Sequence, residues 1–401
     1  MSRNLVICCD GTNNQFGPEN TSVVRLVQVL DRAPDKQRLY YDPGVGTLPE
    51  PGVFSRIGRR ISELLDLAFA TGLLWKVEEA YTYLMENWEA GDQVFLFGFS
   101  RGAYTVRVLA GLLHTLGLLP RGSGNMVPYA VRLYKGARRA GSPGQAGSNA
   151  DYWNLCDEFR WTFARPIPGG SPDRRFPVRF LGVWDTVSSV GWVWDPATFR
   201  FTAHNPGIAI IRHAVAVDER RWFFRQNLMG PDGRPNSHQD LQQLWFPGVH
   251  SDVGGGYPES EGGLWRVPFQ WVVSEAEKAG LHVDKKSFAM VWQRPPFPAH
   301  PWSEPRPPIP ARPWVEPQHE SLTPLWWLAE FFPKFRRGPS GLKLPRLGLG
   351  RHRTIPPGAL IHKSTLLRIR ETNYAPPNFP ETFLKRIRTL VEVPETLPFP
   401  D

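Results

Sequence analysis

Cysteine is scarce: Cys8, Cys9 and Cys156 are the only three in 401 residues, and two of them are adjacent. So few thiols cannot build a disulfide framework, and without a Cys-x-x-Cys pair neither zinc nor thioredoxin-like chemistry is indicated. A reducing compartment is expected. Long apolar runs are missing too, since the longest candidate, Leu64 to Trp75, is broken by Asp66 and Gly72 and falls short of the roughly 20 residues that span a bilayer. Leu5 to Cys9 is too short for a signal-peptide core. The expectation is a chain that is cytoplasmic as synthesised, with export only by a non-classical route. No His-Glu-x-x-His helix, calcium loop or phosphate-binding glycine loop occurs, so no metal and no cofactor are expected. No fixed-period repeat occurs either, which excludes a solenoid.

Acidic residues are absent between Glu330 and Glu371, while Lys334, Arg336, Arg337, Lys343, Arg346, Arg351 and Arg353 accumulate there. With a net charge of +9, such a run suits an anionic partner, a phospholipid surface or nucleic acid, although a basic balance also serves solubility alone. No nucleic-acid-binding motif surrounds it, so nucleic acid is not the expected partner.

Short apolar runs alternate with helical patterns, the signature of a mostly parallel sheet flanked by helices. Strands are expected at Leu5 to Cys9, Arg38 to Tyr41, Val94 to Phe97, Arg179 to Trp184, His213 to Val217 and Gln243 to Phe246. Helices are expected around Val23 to Leu30, Lys76 to Trp88, Ala103 to Leu116 and Leu264 to Ala279. Residues 121–170, rich in Gly, Ser, Arg and Pro, read as a loop insertion. Prolines crowd 295–310, which excludes regular helix or internal strand there. The domain reading is a catalytic unit over 1–285 and a Pro-rich, basic C-terminal extension over 286–401 that forms a lid or wrap.

Gly98-Phe99-Ser100-Arg101-Gly102 is the sharpest motif. Gly-x-Ser-x-Gly alone is common, but here it follows the apolar run Val94 to Phe97 and precedes an amphipathic helix carrying Val106, Leu109, Ala110 and Leu113. That strand, elbow and helix order is what an exposed serine nucleophile requires. Gly98 and Gly102 relieve crowding at the turn, and the competing reading is an ordinary serine N-cap. In this class the acid and the histidine follow the serine on later strand ends. Asp185 ends the buried run Arg179 to Trp184, and His250 follows Leu244 to Val249 in a loop continued by Gly254, Gly255 and Gly256. Asp218, after His213 to Val217, is the alternative acid. Asp252 lies too close to His250 in sequence to orient it. The loop after the first strand, Cys9-Asp10-Gly11-Thr12, offers Gly11 or Thr12 N–H as an oxyanion donor beside Arg101 N–H. An aspartyl-nucleophile phosphatase would need an acid two residues before Asp10, where this chain has Cys8.

These segments, together with Val183-Trp184-Asp185-Thr186-Val187, His213 to Arg221 and Trp245 to Tyr257, resemble the bacterial α/β-hydrolase family that includes the phospholipase effectors of type VI secretion systems. The resemblance covers about residues 1 to 285, with weaker echoes at Leu325 to Leu328 and His362 to Ser364. It implies an α/β-hydrolase fold, a Ser100, Asp185 and His250 triad, and a phospholipid or other ester substrate. It also implies a secretion or immunity partner. The enzymatic alternative is a soluble carboxylesterase, and the non-enzymatic one a module that binds anionic membranes. Residues 323–337 read as an interfacial helix or lid edge. Thr323 is the N-cap, Pro324 the first helical residue and Pro333 the stop, with Leu325, Trp326, Trp327, Leu328, Phe331 and Phe332 as the apolar body. The competing reading is a helix packed permanently on the core.

Overall fold

The computed structural model describes residues 2–11, 17, 19–44, 58–136, 149–170, 172–187, 191–192, 195–196, 199–230, 239–258, 260–293, 312–331, 334–337 and 343–400. In chain order the elements begin β1 (Asn4–Cys9), α1 (Ser22–Val29), β2 (Gln37–Asp42), α2 (Gly58–Asn87), β3 (Gln93–Phe99) and α3 (Ser100–Leu116). There follow α4 (Val127–Gly136), α5 (Asn149–Phe163), β4 (Val178–Trp184), the short ladder of β5 (Gly191–Trp192) and β6 (Asp195–Pro196), β7 (Ile208–Ala216) and β8 (Asp240–Phe246). Next come α6 (His250–Gly254), α7 (Arg266–Lys278), α8 (Lys285–Gln293), α9 (Pro324–Glu330) and the hairpin β9 (Lys334–Arg337) with β10 (Lys343–Arg346). The chain closes with β11 (Leu360–His362), α10 (Lys363–Glu371), α11 (Glu381–Arg388) and β12 (Thr396–Pro398).

Eight strands make one sheet in the order β12-β11-β8-β7-β4-β3-β1-β2. All neighbours are parallel except β12, which runs antiparallel to β11 at the edge. Parallel strands need crossovers and so are covered on both faces. The side chains report this directly, because successive residues of a strand point to opposite faces. In β1, Leu5, Ile7 and Cys9 join one core cluster with helices α2 to α5, while Val6 and Cys8 join the other with α1 and α7. In β3, Val94 and Leu96 pack with the first cluster, Phe95, Phe97 and Phe99 with the second. This is an α/β-hydrolase architecture, and the six expected strands and four expected helices all appear in it. All three cysteines are buried and free, and among the described residues no helix is long and apolar enough to cross a membrane.

Two regions differ from expectation. Where described, the 121–170 insertion is helical rather than a loop: α4 buries Val127, Ala130, Val131 and Tyr134, and α5 buries Cys156 and Phe159. Those spacings are helical, but flanking Gly, Ser and Arg diluted the pattern. The prolines of 295–310 all lie outside the described residues. The C-terminal segment does more than wrap. β11 extends the sheet beside β8, and a third cluster joins Val215, Val217 and Trp245 of the sheet to Ile361, Leu366, Ile369, Phe383 and Ile387. A chain ended at residue 285 would expose Trp245 and the β8 edge, so we expect it to lose a cooperative thermal transition. A truncated chain that melts like the full one would show that the C-terminal segment is not part of the folding unit.

Candidate active site

Ser100 stands where β3 turns into α3, with φ at +57°, a left-handed backbone that a non-glycine residue holds only when its surroundings impose it. The neighbours impose it by close approach. A Cβ on Gly102 would lie 2.2 Å from the Cys9 carbonyl oxygen, and one on Gly98 would lie 2.6 Å from the Ala103 Cα. Both clashes are with backbone, so the lack of a Cβ at Gly102 lets α3 seat against the end of β1, and the lack of one at Gly98 lets β3 turn tightly into α3.

His250 opens α6, and its ring lies between Phe99 (centroids 4.6 Å apart) and the edge-on Phe224 (4.9 Å). Its Nδ1 is 2.5 Å from Asp185 Oδ2 and its Nε2 is 2.8 Å from Ser100 Oγ. An ionised carboxylate only accepts, so Nδ1–H donates to Asp185 and Nε2 is left to accept the Ser100 hydroxyl. Burial pushes the His250 ring below its ordinary value, against the opposing pull of Asp185. The imidazole is therefore neutral at neutral pH and able to take a proton.

Asp185 follows β4 with φ at +37° and is fully buried. Burial alone would push its carboxyl up, yet it is held well below the usual carboxylate range by the Arg353 guanidinium and by His250. Arg353 binds it in a two-pronged contact, Nη1 to Oδ1 at 2.5 Å and Nη2 to Oδ2 at 2.9 Å. Arg353 also donates to the carbonyls of Ala216 (3.1 Å) and Phe224. Asp185 Oδ1 additionally accepts the Ala216 N–H at 3.0 Å.

The other candidate acids go elsewhere. Asp218 Oδ2 accepts the Gly248 N–H and the Tyr374 hydroxyl, each at 2.7 Å, so it shapes the loop before His250 rather than the ring. Its carboxyl is pushed up to about 6 by burial, against those hydrogen bonds. Asp252 accepts the Val249 N–H (3.0 Å) and pairs with His319 Nδ1 (2.6 Å). Glu219 was not singled out in the sequence. It is buried, accepts the His250 N–H at 3.2 Å, and binds Arg221 and Ser321.

One proposed oxyanion donor needs correction. Gly11 N–H already donates to Asp10 Oδ1 at 2.7 Å, while Asp10 Oδ2 is fixed by Thr21 (2.6 Å) and Tyr41 (3.3 Å). An aspartate side chain readily captures the next backbone amide in a turn, and nothing in the sequence announces it. Thr12 lies outside the described residues. Arg101 N–H sits in the first turn of α3, where backbone donors point outward along the helix axis.

Pro324 opens α9 as expected, with the Trp327 N–H returning to the Thr323 carbonyl at 3.0 Å. Trp326 stands edge-on to Phe224 at 5.3 Å, two rings from His250. Trp327 and Phe331 remain 38% and 59% exposed. The end of α9 is pinned, because buried Glu330 accepts the N–H groups of Trp222 (2.6 Å) and Gly350 (3.1 Å). Phe332 and Pro333 lie outside the described residues. Arg353, counted above in the basic run, is buried on Asp185 and so cannot serve an external phosphate.

The sequence order allowed either Asp185 or Asp218 as the acid, and the geometry separates them. Asp185→Asn, which disrupts the tautomer-setting bond to His250, should lower ester turnover by about 10⁴-fold. Asp218→Asn should cost less than about tenfold, since it touches only the loop and Tyr374. Single-turnover acylation of both variants is the measurement, and a larger loss from Asp218→Asn would exchange their roles.

Residues 3–275 match the catalytic-domain model of the Tle1-like phospholipase effectors of type VI secretion systems. An uncharacterised protein of Saccharomyces cerevisiae is 34% identical over 236 residues, covering 57% of this chain and 33% of that protein. Among solved structures, an uncharacterised protein from Pseudomonas aeruginosa aligns with a TM-score of 0.40 at 20% identity, over 70% of this chain and 46% of that one. The Tle1 effector bound to the VgrG spike aligns with a TM-score of 0.37 at 20% identity, over 66% and 52% respectively. The chain thus spans a third of the curated relative's length and about half of each solved one. The yeast relative shows that similarity of this kind is not confined to bacteria. A match that runs from residue 3 past His250 makes this chain a member of the Tle1-like type VI secretion phospholipase effector catalytic-domain family.

Proposed function

We propose that this chain is a serine ester hydrolase, a phospholipase or lipase, working through Ser100, His250 and Asp185. The observation that carries this reading is the unbroken hydrogen-bond chain from Ser100 Oγ through both His250 ring nitrogens to Asp185. In the proposed cycle His250 Nε2 takes the Ser100 proton as Oγ attacks the acyl carbonyl. Asp185 holds the ring and stabilises the imidazolium, and His250 then returns the proton to the leaving alcohol. Water, deprotonated by the same nitrogen, releases the acyl group. Arg101 N–H and the Thr12 N–H are the proposed oxyanion donors. The preference for phospholipid rests on family membership. The same membership motivates a secretion or immunity partner. The catalytic unit on this reading is residues 1–285, completed by the 286–401 segment.

Ser100→Ala should lose at least about a thousandfold in turnover while keeping the thermal transition, and fluorophosphonate labelling of the full chain should vanish. An Ala variant with near-native ester hydrolysis would remove Ser100 from the mechanism. Vesicles of mixed bacterial phospholipids against a short soluble ester separate lipase from soluble esterase.

Part of the proposal is an interfacial edge along 323–337. Trp326 packs edge-on against Phe224, whereas Trp327 and Phe331 are exposed, and amphipathic rings gain by lying among lipid headgroups. Trp327→Ser with Phe331→Ser should therefore weaken vesicle binding and lipid hydrolysis at least about fivefold with soluble-ester rates preserved, given roughly 1.5–3 kcal/mol for burying a large apolar side chain. Equal loss of both activities would assign the segment a purely structural role.

A further inference from the structure

Asp185 has more partners than a histidine-orienting carboxylate requires. Both of its oxygens are bridged by a guanidinium that arrives from 168 residues further along the chain. The family match ends at residue 275 and holds Ser100, Asp185 and His250 but not Arg353. Arg353 is only 5% exposed and carries no second carboxylate partner among the described ion pairs. The same two Nη groups also donate to the Ala216 and Phe224 carbonyls, the first at the end of β7 and the second on the residue whose ring flanks His250, while the buried Nε has no hydrogen-bond partner among the described residues.

We propose that Arg353 is a positioning residue of this hydrolase site: it clamps the Asp185 carboxylate, and through it fixes the direction and basicity of His250. The inference rests on the Ser100, His250 and Asp185 reading above. A fully buried carboxylate with φ at +37° has neither solvent nor relaxed backbone to hold its plane, and a planar two-pronged fork supplies that constraint as no point charge can. The same contact partly neutralises the carboxylate. An imidazolium beside a neutralised carboxylate is stabilised less, so the clamp keeps His250 neutral to lower pH than the bare dyad would. In the intact site His250 is lowered chiefly by burial, with Asp185 pulling the other way and Arg221 adding to the lowering. The other ionisable groups facing the pair are few. Glu219 meets the His250 N–H, Arg221 lies beside Glu219, and His213 on β7 sits behind Asp185, bound to the Thr186 N–H and Gln243. Asp252, on α6 itself, is engaged by His319.

The sign follows from these charges. Removing the guanidinium restores the full carboxylate field on His250 and raises its pKa, so the acid limb of the rate profile moves to higher pH. The test uses the full chain with Arg353→Met and Arg353→Lys, reading kcat and KM for a short soluble ester across pH, the fluorophosphonate labelling rate of Ser100, and the thermal transition. Arg353→Met should move the acid limb up by about one pH unit or more and lower plateau kcat by about 10- to 100-fold, the range seen when an outer-shell support is lost, with KM little changed. Arg353→Lys keeps the charge without the fork, so its limb should stay near the native position while kcat remains depressed. Should Arg353→Met fail to fold, Arg353→Lys decides alone: native kcat in that variant overturns the clamp, as does a folded Met variant with native limb and plateau. Failure of the underlying triad reading is distinguishable, since it is an active Ser100→Ala chain whatever Arg353 does.

Discussion

The Asp185 carboxylate is the point on which the site depends. A charge with no solvent contact is tolerated only when its lone pairs are filled and its charge is opposed. Here Oδ1 takes the Ala216 N–H and one arm of Arg353, and Oδ2 takes His250 and the other arm. Those partners come from the end of β7, from the C-terminal segment and from α6. The carboxylate therefore ties three distant parts of the chain to the end of β4. Removing either member of such a buried pair leaves the other uncompensated, a loss of about 3–5 kcal/mol in comparable cases.

This arrangement bears on where the functional unit ends. The C-terminal segment enters the same sheet through β11 and β12, completes a core cluster beneath Trp245, and supplies Arg353. Its echo in the sequence, His362 to Ser364, is now physically intelligible: Thr365 donates to the Trp245 carbonyl at 3.0 Å, and His362 packs on Phe246 at 4.4 Å. Around His250 the same segment contributes Ser321 to Glu219 and His319 to Asp252. Two carboxylates beside the proposed base, Glu219 after β7 and Asp252 on α6, are thus held from a part of the chain beyond the family match.

Much of the sheet was legible because its strands are short apolar runs buried on both faces, and such runs stand out against polar turns. The helices of the insertion were less so. Val127, Ala130, Val131 and Tyr134 had helical spacing, but their neighbourhood of Gly, Ser and Arg carried loop statistics. Ser100 was legible for a local reason, since an elbow needs glycines within two residues on each side, and both Gly98 and Gly102 meet backbone where a Cβ would sit. Gly11 was not, because whether its N–H faces a substrate or Asp10 is decided by a side-chain rotamer.

By itself the sequence determined the alternation of strand and helix, the strained serine turn, and the order in which a serine, acids and a histidine reach the ends of successive strands. These are properties of near neighbours, fixed by backbone sterics and by hydrophobic period. Only the tertiary structure decided that Asp185 rather than Asp218 reaches His250, that Glu219 holds the histidine's backbone, and that Arg353 belongs to the site and not to a basic surface. Each of these contacts joins residues 31 to 168 positions apart. A guanidinium in a basic run carries no local mark of whether it will meet water or a buried carboxylate; that is settled when the sheet, its covering helices and the C-terminal strands close around Asp185.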